Sequence, residues 1–154
     1  MCTVTLVRRP AGRLEVTMNR DERWGRAPER PPALHPGRGG GPDWLAPADG
    51  ERGGTWIGVN ADGVVACLLN GYAESDLELL GRPGVPSRGA IVPELLARPA
   101  ADREAWLART FDPTPYPSFV LLVVVGGRTR ELSWRLGGAV RRCERAGALD
   151  LVSP

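Results

Sequence analysis

The sequence predicts an α+β fold in which antiparallel β-sheets pack on helices. Three pairs of short strand-like segments lie close together along the chain, as in β-hairpins, and helical segments separate the second pair from the third. This order favours α+β architecture and differs from the strand–helix alternation of parallel nucleotide-binding sheets. The 154 residues fit one domain, and a hydrophobic content of 42% supplies a core. We therefore expect residues 1–154 to form a single domain.

The first hairpin is predicted from residues 3–7 and 14–18. Both segments alternate between apolar and polar residues, and the first is rich in β-branched side chains. Pro10-Ala11-Gly12 supplies the turn between them. The second strand runs into the polar tetrad Asn19-Arg20-Asp21-Glu22, which we expect at a strand end.

Residues 23–53 are rich in Pro, Gly and Arg and show no regular apolar pattern. A loop of this length inside a compact domain is either functional or disordered. We expect a long, partly mobile loop whose two ends pack down through Trp24 and Trp44.

The second hairpin is predicted from residues 55–59 and 64–69. The turn Asn60-Ala61-Asp62-Gly63 joins them, and its Asp-Gly step supplies the positive φ that hairpins favour. The apolar run over 64–69 is typical of a strand that is buried on both faces.

Helical segments are predicted within 88–98 and over 102–111. Ser87 is a candidate cap for the first, and Asp102 is a candidate cap for the second, whose apolar spacing is near 3.6. Two runs, 119–125 and 129–134, flank a Gly-Gly turn and predict the third hairpin; residues after 138 carry a weaker signal.

Composition argues against several classes of function. All 20 basic residues are Arg, and they are interleaved with 18 acids at a net charge of +2, so no basic stripe for nucleic acid is evident. Charge at Arg8 and Arg9 precedes any run long enough for a signal peptide, and the longest apolar run, 119–125, is too short for a membrane span. We expect a cytoplasmic protein without stable membrane insertion.

The three cysteines and the single histidine also limit the chemistry. An odd number of widely spaced cysteines favours free thiols over a disulfide framework. His35 is the only histidine, and the cysteines lack metal-ligand spacing, so we expect neither a zinc site nor a cofactor. The glycines over 37–41 lack the Lys and Ser or Thr of a phosphate loop.

Cys2 is the residue with the clearest chemical potential. A thiol needs a base to react near neutral pH, and an amino-terminal residue carries one in its own α-amine, with a pKa of roughly 7.7–8.0. Removal of Met1 is required before the Cys2 amine is free, and a small second residue is compatible with that removal. The alternative is that Cys2 is a small apolar residue near a strand start.

Four polar residues are candidates for a site around Cys2. Asp21 would hold or orient the terminal amine, and Arg20 would favour a thiolate or bind an acidic group of a substrate. Asn60 and Asn70 follow apolar strands, where an amide would stabilise an oxyanion. The alternatives are a surface ion pair for the tetrad and ordinary turn positions for both asparagines.

Several sequence blocks together resemble the NRDE family, which includes the transport and Golgi organisation protein 2. The blocks occur in the family's order and cover most of residues 1–92, with a weaker match over 116–121 and at Trp134. They are Met1-Cys2, Asn19-Arg20-Asp21-Glu22, Gly53-Gly54-Thr55-Trp56-Ile57-Gly58-Val59, Gly63 to Leu69-Asn70, and Ser87-Arg88-Gly89.

The resemblance implies an amino-terminal-nucleophile hydrolase fold, the αββα sandwich of choloylglycine hydrolases and penicillin V acylases. It implies catalytic roles for four residues and substrate contacts for three more. Cys2 would be the nucleophile, Asp21 would steady its amine, Asn70 would help the oxyanion and Arg20 would serve substrate or thiolate; Asn19, Asn60 and Arg88 would contact substrate.

The chain also departs from the family pattern. In the related hydrolases Arg precedes Asn, whereas here Asn19 precedes Arg20. Family members are longer, a later Gly-x-Ser-Asn-like segment has no match before Pro154, and Val120 stands where an Asn often follows the aromatic residue. We therefore expect a shortened sandwich.

Two functions follow from the resemblance, with a third alternative. The first is a cysteine hydrolase acting on an amide or thioester. The second is a carrier or chaperone for haem, coenzyme A conjugates or lipid-type ligands, because family members are associated with haem trafficking and acyl-lipid handling. The third is a structural or interaction protein that has lost its site. For the first two we expect an acidic or acylated small molecule as the partner.

Overall fold

The computed structural model describes residues 2–71, 73–80 and 82–154, with no account of the Ser75 side chain. Ten strands, two short α-helices and several helical turns form in this part of the chain. The strands are β1 (Thr3–Arg8), β2 (Leu14–Asn19), β3 (Arg30–His35), β4 (Trp44–Ala48), β5 (Ile57–Asn60), β6 (Val65–Asn70), β7 (Phe119–Val125), β8 (Arg128–Trp134), β9 (Arg141–Arg145) and β10 (Leu149–Val152). The helices are α1 (Ile91–Leu96) and α2 (Ala100–Ala105), and a π-helical segment, Trp106–Thr110, follows α2; 3₁₀ turns cover Pro10–Gly12, Glu74–Glu78 and Arg88–Ala90.

The strands form two antiparallel sheets. The smaller sheet has the order β10-β1-β2, and the larger has the order β3-β4-β5-β6-β7-β8-β9. In the smaller sheet Val4 pairs with Met18 on one side and with Val152 on the other. In the larger sheet Asn70 at the end of β6 pairs with Phe119 at the start of β7.

Two hydrophobic cores separate three layers. Between the sheets, the inward residues of β1 pack on one face of β6 and β7, as with Val4 and Leu6 against Leu69 and Leu122. The other face of β6 and β7 packs on α1 and on the helical segment after it. Because β6 and β7 carry apolar residues on both faces, they form the centre of the molecule. The expected α+β fold with antiparallel sheets on helices is confirmed, as a shortened sandwich.

All three predicted hairpins are confirmed. β1 pairs with β2, β5 with β6, and β7 with β8, each antiparallel. The turn between β5 and β6 depends on Gly63, whose φ of +75° is a conformation that residues with a Cβ rarely adopt. The apolar run of β6 is buried over Ala66–Leu69, as expected of a two-sided strand.

The prediction of one long loop over residues 23–53 is wrong, because β3 and β4 pair within it as an antiparallel hairpin. β3 is the edge strand of the larger sheet and is exposed at every residue except His35. An edge strand needs no apolar alternation and tolerates proline, here Pro31 and Pro32. Trp24 is fully exposed, so it does not pack down as expected, whereas Trp44 packs partly against the helix-side core.

Both predicted helical segments form, but their caps differ from expectation. Ser87 precedes the 3₁₀ turn before α1 and makes no capping bond through its side chain. Pro99, not Asp102, occupies the cap position of α2, and Asp102 lies within the first helical turn. No helix in the described ranges is long and apolar enough to cross a membrane.

Candidate functional site

A cavity of about 580 Å³ opens where the start of β1, the end of β2 and the end of β6 meet. Its volume is in the range of small-molecule sites, roughly 300–1,000 Å³. Five of the seven residues that the sequence singled out line its wall. These are Cys2, Arg20, Asp21, Asn70 and Arg88.

Cys2 lines this cavity. It directly precedes β1, and its side chain belongs to the core between the sheets, with 7% of the residue exposed. The Cys2 thiol donates a weak hydrogen bond to the backbone oxygen of Asp21, at 3.8 Å. The sulfur is therefore held against the polar tetrad while the cavity leaves a path toward it.

Asp21 and Asn19 act together at the end of β2. Asn19 pairs with Thr3 across the smaller sheet, which places the tetrad beside the start of β1. The Asn19 amide donates to the Asp21 carboxylate at 2.9 Å. The pKa of the Asp21 carboxyl lies below its ordinary value; the positive amino-terminal group is the largest cause, and Asn19 adds to it. Met1 itself lies outside the described residues, so removal of Met1 stays a prediction.

Arg20 is held in place by a carboxylate that the sequence did not single out. Its guanidinium donates to Asp49 at 2.7 Å and to Glu22 at 2.9 Å. The same guanidinium lies over the indole of Trp56, 4.1 Å from the ring centroid, a cation–π contact. Arg20 is thus a fixed part of the cavity wall, because its Nη2 donates to two carboxylates of the protein.

Asp49 is the centre of this ion-pair cluster. Besides Arg20 it accepts two hydrogen bonds from Arg26, at 2.9 and 3.0 Å, and backbone bonds from Glu51 and Arg52. Burial would raise the pKa of Asp49, but the bonds from Arg26 and the backbone outweigh burial and lower it to about 2. No sequence pattern links Asp49 to partners more than twenty residues away.

Asn70 presents an amide to the cavity. It is half-buried at the last position of β6 and lines the wall. Within residues 2–71, 73–80 and 82–154, its side chain makes no hydrogen bond to the protein. A positioned amide without a protein partner is available to donate to an oxygen of a ligand.

Arg88 ties the cavity wall to the strand ends. Its guanidinium donates to the backbone oxygens of Gly71 and Ser118, at 3.3 and 2.7 Å. Gly71 follows β6 and Ser118 precedes β7, so Arg88 fixes the strand end that carries Asn70. The 3₁₀ turn over Arg88–Ala90 brings it there.

Asn60 lies outside this cavity. Its amide donates to the Leu96 carbonyl at 3.0 Å, and its side-chain oxygen accepts from the Val64 amide at 3.0 Å. The residue is 5% exposed. Asn60 therefore closes the β5–β6 turn and joins it to the end of α1, and the structure does not place it where a substrate contact was expected.

The remaining cysteines are free thiols, as Cys2 is. Burial raises the pKa of Cys67 to about 12, which leaves it protonated, and Cys143 is exposed on β9. In the described part of the chain, no group of three or more His, Cys, Asp or Glu side chains could hold a metal ion.

The comparisons with known proteins agree with the sequence blocks. The family model described as Transport and Golgi organisation 2 matches residues 1–134, a range that contains every lining residue of the cavity. No curated protein matches the chain. The matched range covers most of the 154 residues and confirms the resemblance to the NRDE family. The chain belongs to the Transport and Golgi organisation 2 family.

Proposed function

We propose that this protein is a cysteine hydrolase of the amino-terminal-nucleophile type that acts on an amide or thioester. The observation that carries the proposal is the shared cavity of Cys2, Asp21 and Asn70. A nucleophile, a group beside the terminal amine and a free amide donor are the parts that acyl transfer requires.

The proposed reaction begins when the Cys2 sulfur attacks the substrate carbonyl carbon. The α-amine of Cys2, free after removal of Met1, accepts the thiol proton and passes it to the leaving nitrogen or sulfur. The carbon–heteroatom bond breaks and leaves an acyl thioester on Cys2. Water then attacks this thioester, the carboxylic acid departs and the thiol is restored.

The neighbouring residues support these steps in different ways. After removal of Met1, Asp21 would balance the charge of the Cys2 ammonium, because Asp21 lines the same cavity and its backbone oxygen accepts from the Cys2 thiol. The Asn70 amide donates to the oxygen that becomes negative in the tetrahedral intermediate. Asn19 acts through Asp21, to which it donates a hydrogen bond. Arg20 is paired with Asp49 and Glu22, so it shapes the wall and adds little net charge. Arg88 donates to backbone oxygens and adds a positive charge to the wall, which favours an acidic substrate.

Cys2→Ala tests the nucleophile. Intact mass should first show loss of Met1, and incubation with a short-chain thioester should then add one acyl group to the wild-type chain. We expect Cys2→Ala to abolish both the adduct and turnover, while Cys143→Ala, which removes an exposed thiol outside the cavity, leaves both unchanged. Retention of Met1, or equal turnover in Cys2→Ala, would rule out the mechanism.

Asn70→Ala tests the oxyanion role. Loss of one such donor typically lowers kcat about 10²- to 10³-fold, with a smaller effect on KM. Asn60→Ala is the matched control, because this asparagine lies outside the cavity. Equal kcat for both variants, measured where both are folded, would remove Asn70 from the reaction.

The alternative function is a carrier for an acidic acyl or haem-type ligand. It is favoured by the six arginines that line the cavity. His35, the only histidine, stacks on Trp44 with ring centroids 4.1 Å apart and does not line the cavity, which favours an acyl ligand over haem. Titration of Cys2→Ala with haem and with acyl-coenzyme A separates the cases. Saturable binding without wild-type turnover supports the carrier, and neither binding nor turnover leaves an interaction protein.

A further inference from the structure

A second cavity of about 560 Å³ adjoins the first. Three residues, Arg52, Gly54 and Ser87, line both. The second cavity extends from them toward Arg38 and the junction between α1 and α2. A ligand longer than the first cavity can therefore continue past Arg52 without leaving the protein surface.

The arginines around the two cavities divide into two groups. Arg20 and Arg26 are neutralised by Asp49, and Arg98 is neutralised by Glu94 at 2.5 Å. A second group has no side-chain partner in the ranges that the structure describes. This group is Arg23, Arg38, Arg52 and Arg82.

The acids of the same walls are nearly all engaged. Asp21, Glu22, Asp49 and Glu94 each contact a cation or an amide, and Glu51 accepts from the Ala27 amide. Asp102 is the carboxylate of the second cavity with no partner among the described residues. Among the described residues, the two cavities therefore have four guanidinium groups and one carboxylate without a partner. Their unpaired charge is positive.

Arg38 and Arg52 have fixed backbones and free side chains. The Arg38 amide donates to Ala97 at 2.9 Å, and its carbonyl accepts from Gly41 at 2.9 Å. The Arg52 amide donates to Asp49 at 2.9 Å. A guanidinium on an anchored backbone loses less freedom when it binds an anion, and its planar fork fits phosphate oxygens in pairs.

We propose that the second cavity binds the phosphate-bearing end of an elongated ligand, through Arg38 and Arg52, while the acyl end enters the cavity of Cys2. A terminal phosphate presents three oxygens and about two negative charges, so it can accept hydrogen bonds from two guanidinium groups at once. The acyl half of this statement rests on the proposed function; the anion site does not.

Calorimetry with inorganic pyrophosphate tests the anion site directly. We expect saturable binding to the full chain, at least tenfold weaker in Arg38→Gln and in Arg52→Gln, and weaker at high salt. Arg135→Gln is the matched control, since Arg135 is exposed and lines neither cavity. Equal affinity in all four proteins, or no saturable binding to the wild type, would overturn the site.

A second measurement separates this inference from the proposed hydrolase. Cys2→Ala should bind pyrophosphate as the wild type does, even if no turnover is ever found. With S-acetyl mercaptohexyl phosphate and S-acetyl mercaptohexanol as substrates, Arg52→Gln should raise KM about tenfold for the phosphate ester alone. The same rise for both thioesters, or for neither, would show that the anion site does not serve this ligand.

Discussion

Replacing Asp49 by Asn should reveal how much the buried ion-pair cluster contributes to stability. Asp49 is 6% exposed and accepts hydrogen bonds from Arg20 and Arg26. Asn keeps the shape and the carbonyl oxygen for the backbone bonds, but it removes the charge between two arginine side chains that are only 16% and 18% exposed. The substitution therefore tests charge and not packing.

The magnitude follows from the pKa. The cluster lowers the pKa of Asp49 from an ordinary value of 3.8 to about 2. At about 1.4 kcal/mol per unit, this shift corresponds to about 2 kcal/mol of folding free energy at neutral pH. The pKa of Asp49 is lower in the folded protein than in the unfolded chain. The ionised carboxylate therefore stabilises the fold fully at pH values above the unfolded-state pKa, and this stabilisation is lost as the pH falls through about 2.

Urea unfolding of wild type and Asp49→Asn, followed by tryptophan fluorescence, measures the effect. We expect the gap in unfolding free energy to be about 2 kcal/mol at pH 7, about 1 kcal/mol at pH 3 and well under 1 kcal/mol at pH 2. Glu29→Gln is the control, because Glu29 contacts the same Arg20 at 3.5 Å but its side chain is 60% exposed. Its loss should cost less than about 1 kcal/mol. A gap for Asp49→Asn that stays constant from pH 7 to pH 3 would refute the electrostatic account.

Three further outcomes are expected. Asn60→Ala should lower the unfolding free energy by about 1–3 kcal/mol, because two buried backbone groups lose their partner; a cost near zero in urea unfolding would contradict this. Maleimide at pH 7.5 should label Cys143 in the folded protein and Cys67 only after denaturation, as mass spectrometry of peptides would show; rapid labelling of Cys67 would contradict its burial. Gly54→Ala should cost about 1–3 kcal/mol, since a Cβ there would lie 2.8 Å from the backbone of Gly89; an unchanged thermal midpoint would mean that the two segments separate easily.

Local patterns in the sequence predicted most of the strands, because each pattern depends on burial of one or both faces. β1 and β2 alternate, and β6 is a continuous apolar run, so their positions and pairings follow from neighbouring residues. β3 escaped prediction for the same physical reason. As an exposed edge strand it buries almost nothing, and Pro31 and Pro32 resemble a loop.

The sequence also predicted only some of the residues of the candidate site. Cys2, Asp21 and Asn70 were expected together on the resemblance, and they line one cavity. Asp49 was not expected, because its partner Arg20 lies 29 residues earlier in the chain. Asn60 lies in a sequence that is typical of an ordinary turn. Only the packing of α1 against β5 shows that its amide donates to a backbone oxygen of the protein.

The pairing of Val4 with Val152 has a consequence for the order of events during synthesis. β2 is available to β1 almost at once, but β10 leaves the ribosome only after β3 to β9 have been made. The smaller sheet thus depends on a contact of very high sequence separation, which forms late. Until then one edge of β1, the strand that Cys2 precedes, is open to other proteins. The proposed removal of Met1 would therefore take place at a strand edge that β10 has not yet covered.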